Sequence, residues 1–139
     1  MLESPFLSRL KSNRVRLTGP RRAVLCALEK EHVPLSAKDV WTLCRDAKSD
    51  LVSIYRILDR FEKEHIVDRI ELGDGITRYE LARAKHHHHA RCEGCGLIQD
   101  IGLCIEDIDR KVKAQSGFEL RFHEIQMTGL CADCARTGK

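Results

Sequence analysis

Hydrophobic positions along the chain follow two different rhythms. Ile54, Ile57, Leu58 and Phe61 recur at i, i+3, i+4 and i+7, the single stripe of an amphipathic helix. At about 100° per residue, Tyr55, Arg56, Asp59, Arg60 and Lys63 fall on the opposite face, and Asp50 caps the start of a helix running to about Glu64. Upstream, Thr18-Gly19-Pro20 followed by Val24, Ala27 and Leu28 predicts an earlier helix with proline in its first turn. His32-Val33-Pro34-Leu35 reads as a turn. Ser36-Ala37-Lys38-Asp39 then opens a helix with a capping-box pattern, with Val40, Leu43 and Cys44 on its apolar face. Past residue 66 the rhythm changes to strands. Residues 67–72 and 76–81 are β-like runs around Gly73-Asp74-Gly75, a hairpin signal. Three short helices followed by a hairpin predict a winged helix-turn-helix over residues 1–83.

Residues 84–139 predict strand, strand, helix, strand. Residues 86–92 and 97–101 are the first two strands, and Ile105, Ile108 and Val112 have helical spacing. Phe118, Leu120 and Phe122 alternate before the apolar phase shifts to Ile125 and Met127, which predicts a bulge near Phe122-His123. So short a segment buries too little surface for comfortable independent stability, so metal or oligomerisation is expected to supply the rest. The fold class expected is α+β: a winged helix followed by a small α/β dimerisation domain.

Charge separates the same two parts. Residues 1–83 carry 16 Lys and Arg against 13 Asp and Glu, and residues 84–139 carry eight of each. Arg14, Arg16, Arg21 and Arg22 make the N-terminal stretch basic and are candidates for phosphate contact. On the outer face of the best-patterned helix, Tyr55 and Arg56 can reach base edges, and Arg60 shares that face. No apolar run approaches the length of a membrane span and the start lacks a signal-peptide pattern, so a cytoplasmic protein with reduced thiols is expected. The partners expected are double-stranded DNA and a second copy of the chain.

Five of the seven Cys and five of the seven His lie in residues 84–139. Cys92-Glu93-Gly94-Cys95 and Cys131-Ala132-Asp133-Cys134 are two C-x-x-C knuckles, whose four thiolates match a tetrahedral structural zinc site. Buried structural cysteines and a thiol-redox pair are the competing readings. His86-His87-His88-His89 reads as a strand with His86 and His88 on one face and His87 and His89 on the other, so it can supply two metal sites. An internal expression tag or a solvated polar loop are the bland alternatives. Glu80, Asp100, Glu106, Asp107, His123, Asp68 and His32 are candidates to complete these sites, and imidazole with carboxylate suits zinc, iron(II) or manganese(II). Cys26, Cys44 and Cys104 lie on or beside apolar helical phases and read as bystanders. With no H-E-x-x-H or comparable motif, an enzyme is not expected.

The ordered pieces resemble the ferric uptake regulator superfamily from Arg14 to Cys134. They are Arg16-Leu17-Thr18-Gly19-Pro20-Arg21-Arg22, Leu35-Ser36-Ala37-Lys38-Asp39-Val40, Ser53-Ile54-Tyr55-Arg56-Ile57-Leu58, Gly75-Ile76-Thr77-Arg78-Tyr79-Glu80, the stretch from His86 to Gly96, and the terminal knuckle. The resemblance implies a homodimeric, metal-dependent DNA-binding repressor of metal-uptake genes that reads a palindromic operator, with Ser53, Tyr55 and Arg56 in its recognition helix. It maps structural Zn2+ to Cys92, Cys95, Cys131 and Cys134. It maps one regulatory site, for Fe2+ or Zn2+ with Mn2+ as a further option, to Glu80, His87, His89 and Asp100, with His32 or Asp68 as a further ligand. A second regulatory site maps to His86, His88, Glu106 and His123. A peroxide-sensing regulator of the same superfamily is an alternative, and a zinc-storage or thiol-redox protein is the alternative of another class.

Overall fold

The computed structural model describes residues 5–83, 85–104 and 107–138, which form two compact units, Met1–Ala84 and Lys85–Lys139. The first unit contains helices α1 (Pro5–Ser12), α2 (Gly19–Glu31), α3 (Ala37–Leu43) and α4 (Leu51–Lys63), and strands β1 (Leu35–Ser36), β2 (Val67–Glu71) and β3 (Thr77–Leu81). The strands form one antiparallel sheet in the order β1-β3-β2.

Local signals set these boundaries. The Asp50 carboxylate accepts the Ser53 N–H at 2.7 Å and starts α4. Ser36 Oγ accepts the Asp39 N–H at 3.1 Å while Asp39 accepts the Ser36 N–H at 3.0 Å, a full capping box for α3. The α4 stripe of Ile54, Ile57, Leu58 and Phe61 is buried in one core with Val24, Leu25 and Leu28 of α2, Val40 of α3, and Ile66 and Val67. The sheet adds Leu35, Tyr79 and Leu81 to that core. At the wing tip, Arg78 donates two hydrogen bonds to Asp74, at 2.9 and 2.7 Å, and locks the turn.

Two elements of this unit depart from the sequence expectation. The winged helix carries an additional helix, α1, whose Leu10 is fully buried. Phe6 and Leu10 stand one turn apart on it and pack in or against the core. Tertiary bonds hold it as well: Arg9 donates to the His65 carbonyl and Asn13 to the Glu64 carbonyl. The segment read as a turn at residues 32–35 ends in β1, because Leu35 pairs with Tyr79.

The second unit contains β4 (His88–Cys92), β5 (Ile98–Ile101), α5 (Ile108–Ser116), β6 (Gln126–Gly129) and α6 (Ala132–Thr137). Its sheet order is β5-β4-β6. β4 pairs antiparallel with β5 and parallel with β6, in a register from His89↔Gln126 to Cys92↔Gly129. The strand expected over Phe118–Phe122 and its bulge are not formed. The third strand begins only at Gln126, and Phe118 and Phe122 are 65% and 74% exposed. Alternation makes a strand only where a neighbouring strand accepts its backbone bonds, and β4 offers that pairing only from Gln126 onward.

Candidate metal centres and nucleic-acid interface

The parallel β4–β6 pair decides which ligands meet. Strands running the same way bring their beginnings together at one end and their ends at the other. Cys92 lies beside Gly129 at the exit of both strands, so the Cys131 knuckle follows directly next to the Cys92 knuckle. The Sγ atoms of Cys92, Cys95, Cys131 and Cys134 all lie within 4.8 Å of one another. Cys95 Sγ and Cys131 Sγ are 3.8 Å apart, the edge of a tetrahedron with metal–sulfur bonds of about 2.3 Å. Gly94 is required at this point: a Cβ there would stand 2.9 Å from Cys134 Sγ.

The thiols conflict when only protons are available. Backbone N–H groups of Cys131 and then Cys95 lower the Cys92 thiol to about 6. Hydrogen bonding to Cys131, and burial, push Cys134 up to about 12. A divalent cation removes that conflict by stabilising all four thiolates together. The donor set, spacing and cradle therefore fit zinc.

At the opposite end of the sheet the histidines separate by strand alternation. His87 and His89 share one face, with ring centroids 4.8 Å apart. The antiparallel register sets Asp100 of β5 directly opposite His89, and its Oδ1 is 3.3 Å from His89 Nε2. These three offer a harder, oxygen-containing donor set that fits iron(II), manganese(II) or zinc. On the other face, His86 Nε2 is 3.1 Å from both His88 Nε2 and His123 Nε2. Burial, then the neighbouring imidazoles, hold His88 below its ordinary value, which keeps a ring nitrogen free of its proton and ready to ligate. Glu106, expected to complete this set, lies outside the described residues. Among the described residues, Cys104 stands with these histidines, its Sγ 3.1 Å from His123 Nε2 and 3.4 Å from His88 Nε2. The fold thus brings a cysteine that the sequence reads as a bystander into this group of candidate ligands. It sits in the loop after β5, with no periodicity or paired cysteine to flag it.

The remaining candidates belong to the first unit. Glu80 is buried on β3, directly opposite the exposed Asp68 of β2. Two carboxylates facing across a ladder repel unless a cation stands near, and the Arg83 guanidinium is 3.7 Å from Glu80. His32 is exposed at the C-terminal end of α2, in the left-handed region at φ 56°, and its carbonyl accepts a bond from Arg83. Arg110 donates to Asp107 at 2.7 Å at the start of α5, and among the described residues Asp107 belongs to none of the candidate ligand clusters.

The outer face of α4 presents Tyr55, Arg56 and Arg60 to solvent, with Ser53 half-buried. Arg60 is drawn toward the helix end by Glu64 at 2.6 Å. Val52 is 58% exposed on the same helix, one turn before Tyr55 and Arg56. Sequence reasoning passed over it, although an apolar residue off the buried stripe was the available signal. Arg14, Arg16 and Arg22 are exposed, whereas Arg21 is half-buried and donates to the Arg16 carbonyl at 2.7 Å.

A winged helix joined to a unit built around converging metal ligands defines the class of metal-responsive DNA-binding proteins. The chain belongs to the ferric uptake regulator family, whose profile matches residues 12–128. Its members are metal-sensing transcriptional regulators. The chain is 33% identical to the ferric uptake regulation protein of Neisseria gonorrhoeae, over 96% of this chain and 95% of that protein. Among solved structures, the Helicobacter pylori ferric uptake regulator, which has three functional metal binding sites, superimposes with a TM-score of 0.81 at 28% identity. That alignment covers 94% of this chain and 91% of that one. A zinc uptake regulator complexed with zinc and DNA gives 0.66 at 27% identity, covering 94% and 91%. Among the described residues no helix is long and apolar enough to cross a membrane.

Proposed function

We propose that this chain is a non-catalytic, cytoplasmic repressor of metal-uptake genes that binds a palindromic operator as a metal-loaded homodimer. The observation that carries the reading is the convergence of three sets of metal-ligating side chains on a unit fused to a winged helix. Cys92, Cys95, Cys131 and Cys134 hold structural zinc. His87, His89 and Asp100 hold the sensed ion together with Glu80, only seven residues from His87 and within reach of an extended chain. Asp68 or His32 is a further ligand from the first unit. Oxygen donors in this set favour iron(II) over a soft ion, in keeping with ferric uptake regulation in the relatives.

Ligation by residues from both units restrains the hinge at residues 82–85. The two recognition helices of a dimer then hold the spacing of successive major-groove half-sites. A metal that binds the restrained arrangement better by a few kcal/mol shifts occupancy strongly. Arg56 reads guanine, Tyr55 and Val52 pack against thymine methyls, Ser53 and Arg60 flank them, and Arg14, Arg16, Arg21 and Arg22 meet phosphates. Dimerisation is supported by the exposed Leu97, Leu103, Phe118 and Phe122 and by the open edge of β6.

Operator footprinting with and without iron(II) tests the proposal. Protection should need metal and disappear in Arg56→Ala while metal content stays constant. Equal operator affinity with and without metal would sink the sensor reading. Loss of DNA binding in neither condition for Arg56→Ala would remove α4 as the reader.

A further inference from the structure

The ligand cluster on the second face of the histidine strand contains a thiol that the resemblance does not place there. We infer that Cys104 is the fourth ligand of a closed His86–His88–His123–Cys104 site, and that this makes the site selective for zinc over iron(II) and manganese(II). The inference rests on the metal-sensing reading above and concerns only this one site.

Geometry carries it. His86 Nε2, His88 Nε2, His123 Nε2 and Cys104 Sγ come from the approach to β4, from β4 itself, from the segment before β6 and from the loop after β5. Four donors from four places in the fold converge on one point. Their observed separations are 3.1 Å for His86–His88 and His86–His123, 3.1 Å for Cys104–His123 and 3.4 Å for Cys104–His88. A tetrahedral zinc with ordinary bond lengths sets nitrogens roughly 3.3 Å apart and nitrogen roughly 3.5 Å from sulfur. The parallel sheet explains the convergence: the His89↔Gln126 register, continued back along both segments, matches His86 with His123.

Chemistry gives the selectivity. Three imidazoles and a thiolate suffice for a four-coordinate shell, and no carboxylate joins them among the described residues. Such a set suits zinc and cobalt(II), whereas manganese(II) prefers oxygen donors. The His87, His89 and Asp100 set on the opposite face keeps a carboxylate. One strand thus carries two sites of different softness, so that one chain can respond to two metals.

Cobalt(II) is the probe, added without thiol reductant to dimeric protein that retains one zinc per chain in its four-cysteine cluster. Four-coordinate visible bands should rise together with a thiolate-to-cobalt charge-transfer band. Cys104→Ser should keep visible bands from the histidines but lose the charge-transfer band, and its zinc affinity should fall at least tenfold while manganese affinity stays the same. Iodoacetamide provides an independent readout: zinc should protect Cys104 from alkylation, and the exposed Cys26 is the internal control. Visible bands without charge transfer in the unaltered chain, or equal Cys104 alkylation with and without zinc, would overturn the inference while leaving the sensor reading intact. A charge-transfer band that survives in Cys104→Ser would do the same. Loss of cobalt in Glu106→Gln but not in Cys104→Ser would give the fourth place to Glu106. If no cobalt binds beyond the four-cysteine cluster, both histidine sites fail, and the metal-sensing reading fails with them.

Discussion

The two units of this chain are stabilised by different means. In the first, Val24, Val40, Ile54, Leu58, Phe61 and Ile66 are wholly buried in one apolar core. In the second, the buried apolar residues among those described are Cys92 and Cys134, both in the four-cysteine cluster, while Leu97, Leu103, Phe118, Phe122 and Leu130 are half or more exposed. His88 and His89 are buried where a core would place leucine or valine. The difference predicts that the second unit takes its order from ligands and a partner, because its own apolar surface is insufficient. On that prediction folding and function are linked, because a unit that metal orders reports on metal.

The largest effect expected is the collapse of the second unit alone. Binding of structural zinc contributes on the order of 10 kcal/mol to folding in small zinc domains. Cys134→Ala or a strong chelator should therefore abolish the amide dispersion of residues 85–139 in an NMR spectrum, while residues 5–83 keep theirs. If both units hold their dispersion without zinc, the contrast between them is wrong.

Phe61→Ala should give the reverse pattern. Phe61 is wholly buried on α4, and truncating such a side chain costs about 3–5 kcal/mol. Thermal denaturation should show a destabilised first unit, with zinc content unchanged by elemental analysis. Phe122→Ser should alter neither unit's fold but weaken self-association. Burying one phenylalanine contributes about 1.5–3 kcal/mol, so the dimer dissociation constant should rise at least tenfold in sedimentation equilibrium.

The smallest effect concerns Asp50. Hydrogen bonding from the Ser53 backbone, with a smaller contribution from Arg56, holds its carboxyl below the ordinary 3.8. A depressed folded value means that the unfolded chain binds the proton first as pH falls. The stabilisation is therefore complete above 3.8 and is lost as pH drops through the folded value. Asp50→Ala should lower the melting temperature of the first unit slightly at pH 7, and the difference should shrink toward pH 3. A difference that is unchanged by pH would show that the cap acts through something other than its charge.

Much of this molecule was legible in the chain because its signals are local. The α4 stripe, the Ser36–Asp39 box, the glycine-bounded wing and the C-x-x-C knuckles each depend on residues within a few positions of one another. Helix and strand periods, cap hydrogen bonds and turn geometry are short-range physics, so sequence determined them. The alternation of His86 to His89 belongs here too, since adjacent residues of an extended segment face opposite ways.

What lay beyond the sequence was set by pairing over distance. Helix α1 is only about two turns long, too short for its period to stand out, and is held by Leu10 in the core and by bonds to carbonyls at the end of α4. Phe118 to Phe122 alternate like a strand, yet strand pairing begins only at Gln126. The parallel register of β4 with β6 sends the Cys92 and Cys131 knuckles to one end and His86, His88 and His123 to the other. An antiparallel pair would have set the second knuckle beside the histidines and made different sites from the same residues. Cys104 is the clearest case: nothing in its neighbours singles it out, and the fold places its Sγ 3.1 Å from His123 Nε2 and 3.4 Å from His88 Nε2. The sequence determined which donors exist and which way each local segment turns them, and the tertiary structure decided which donors stand together.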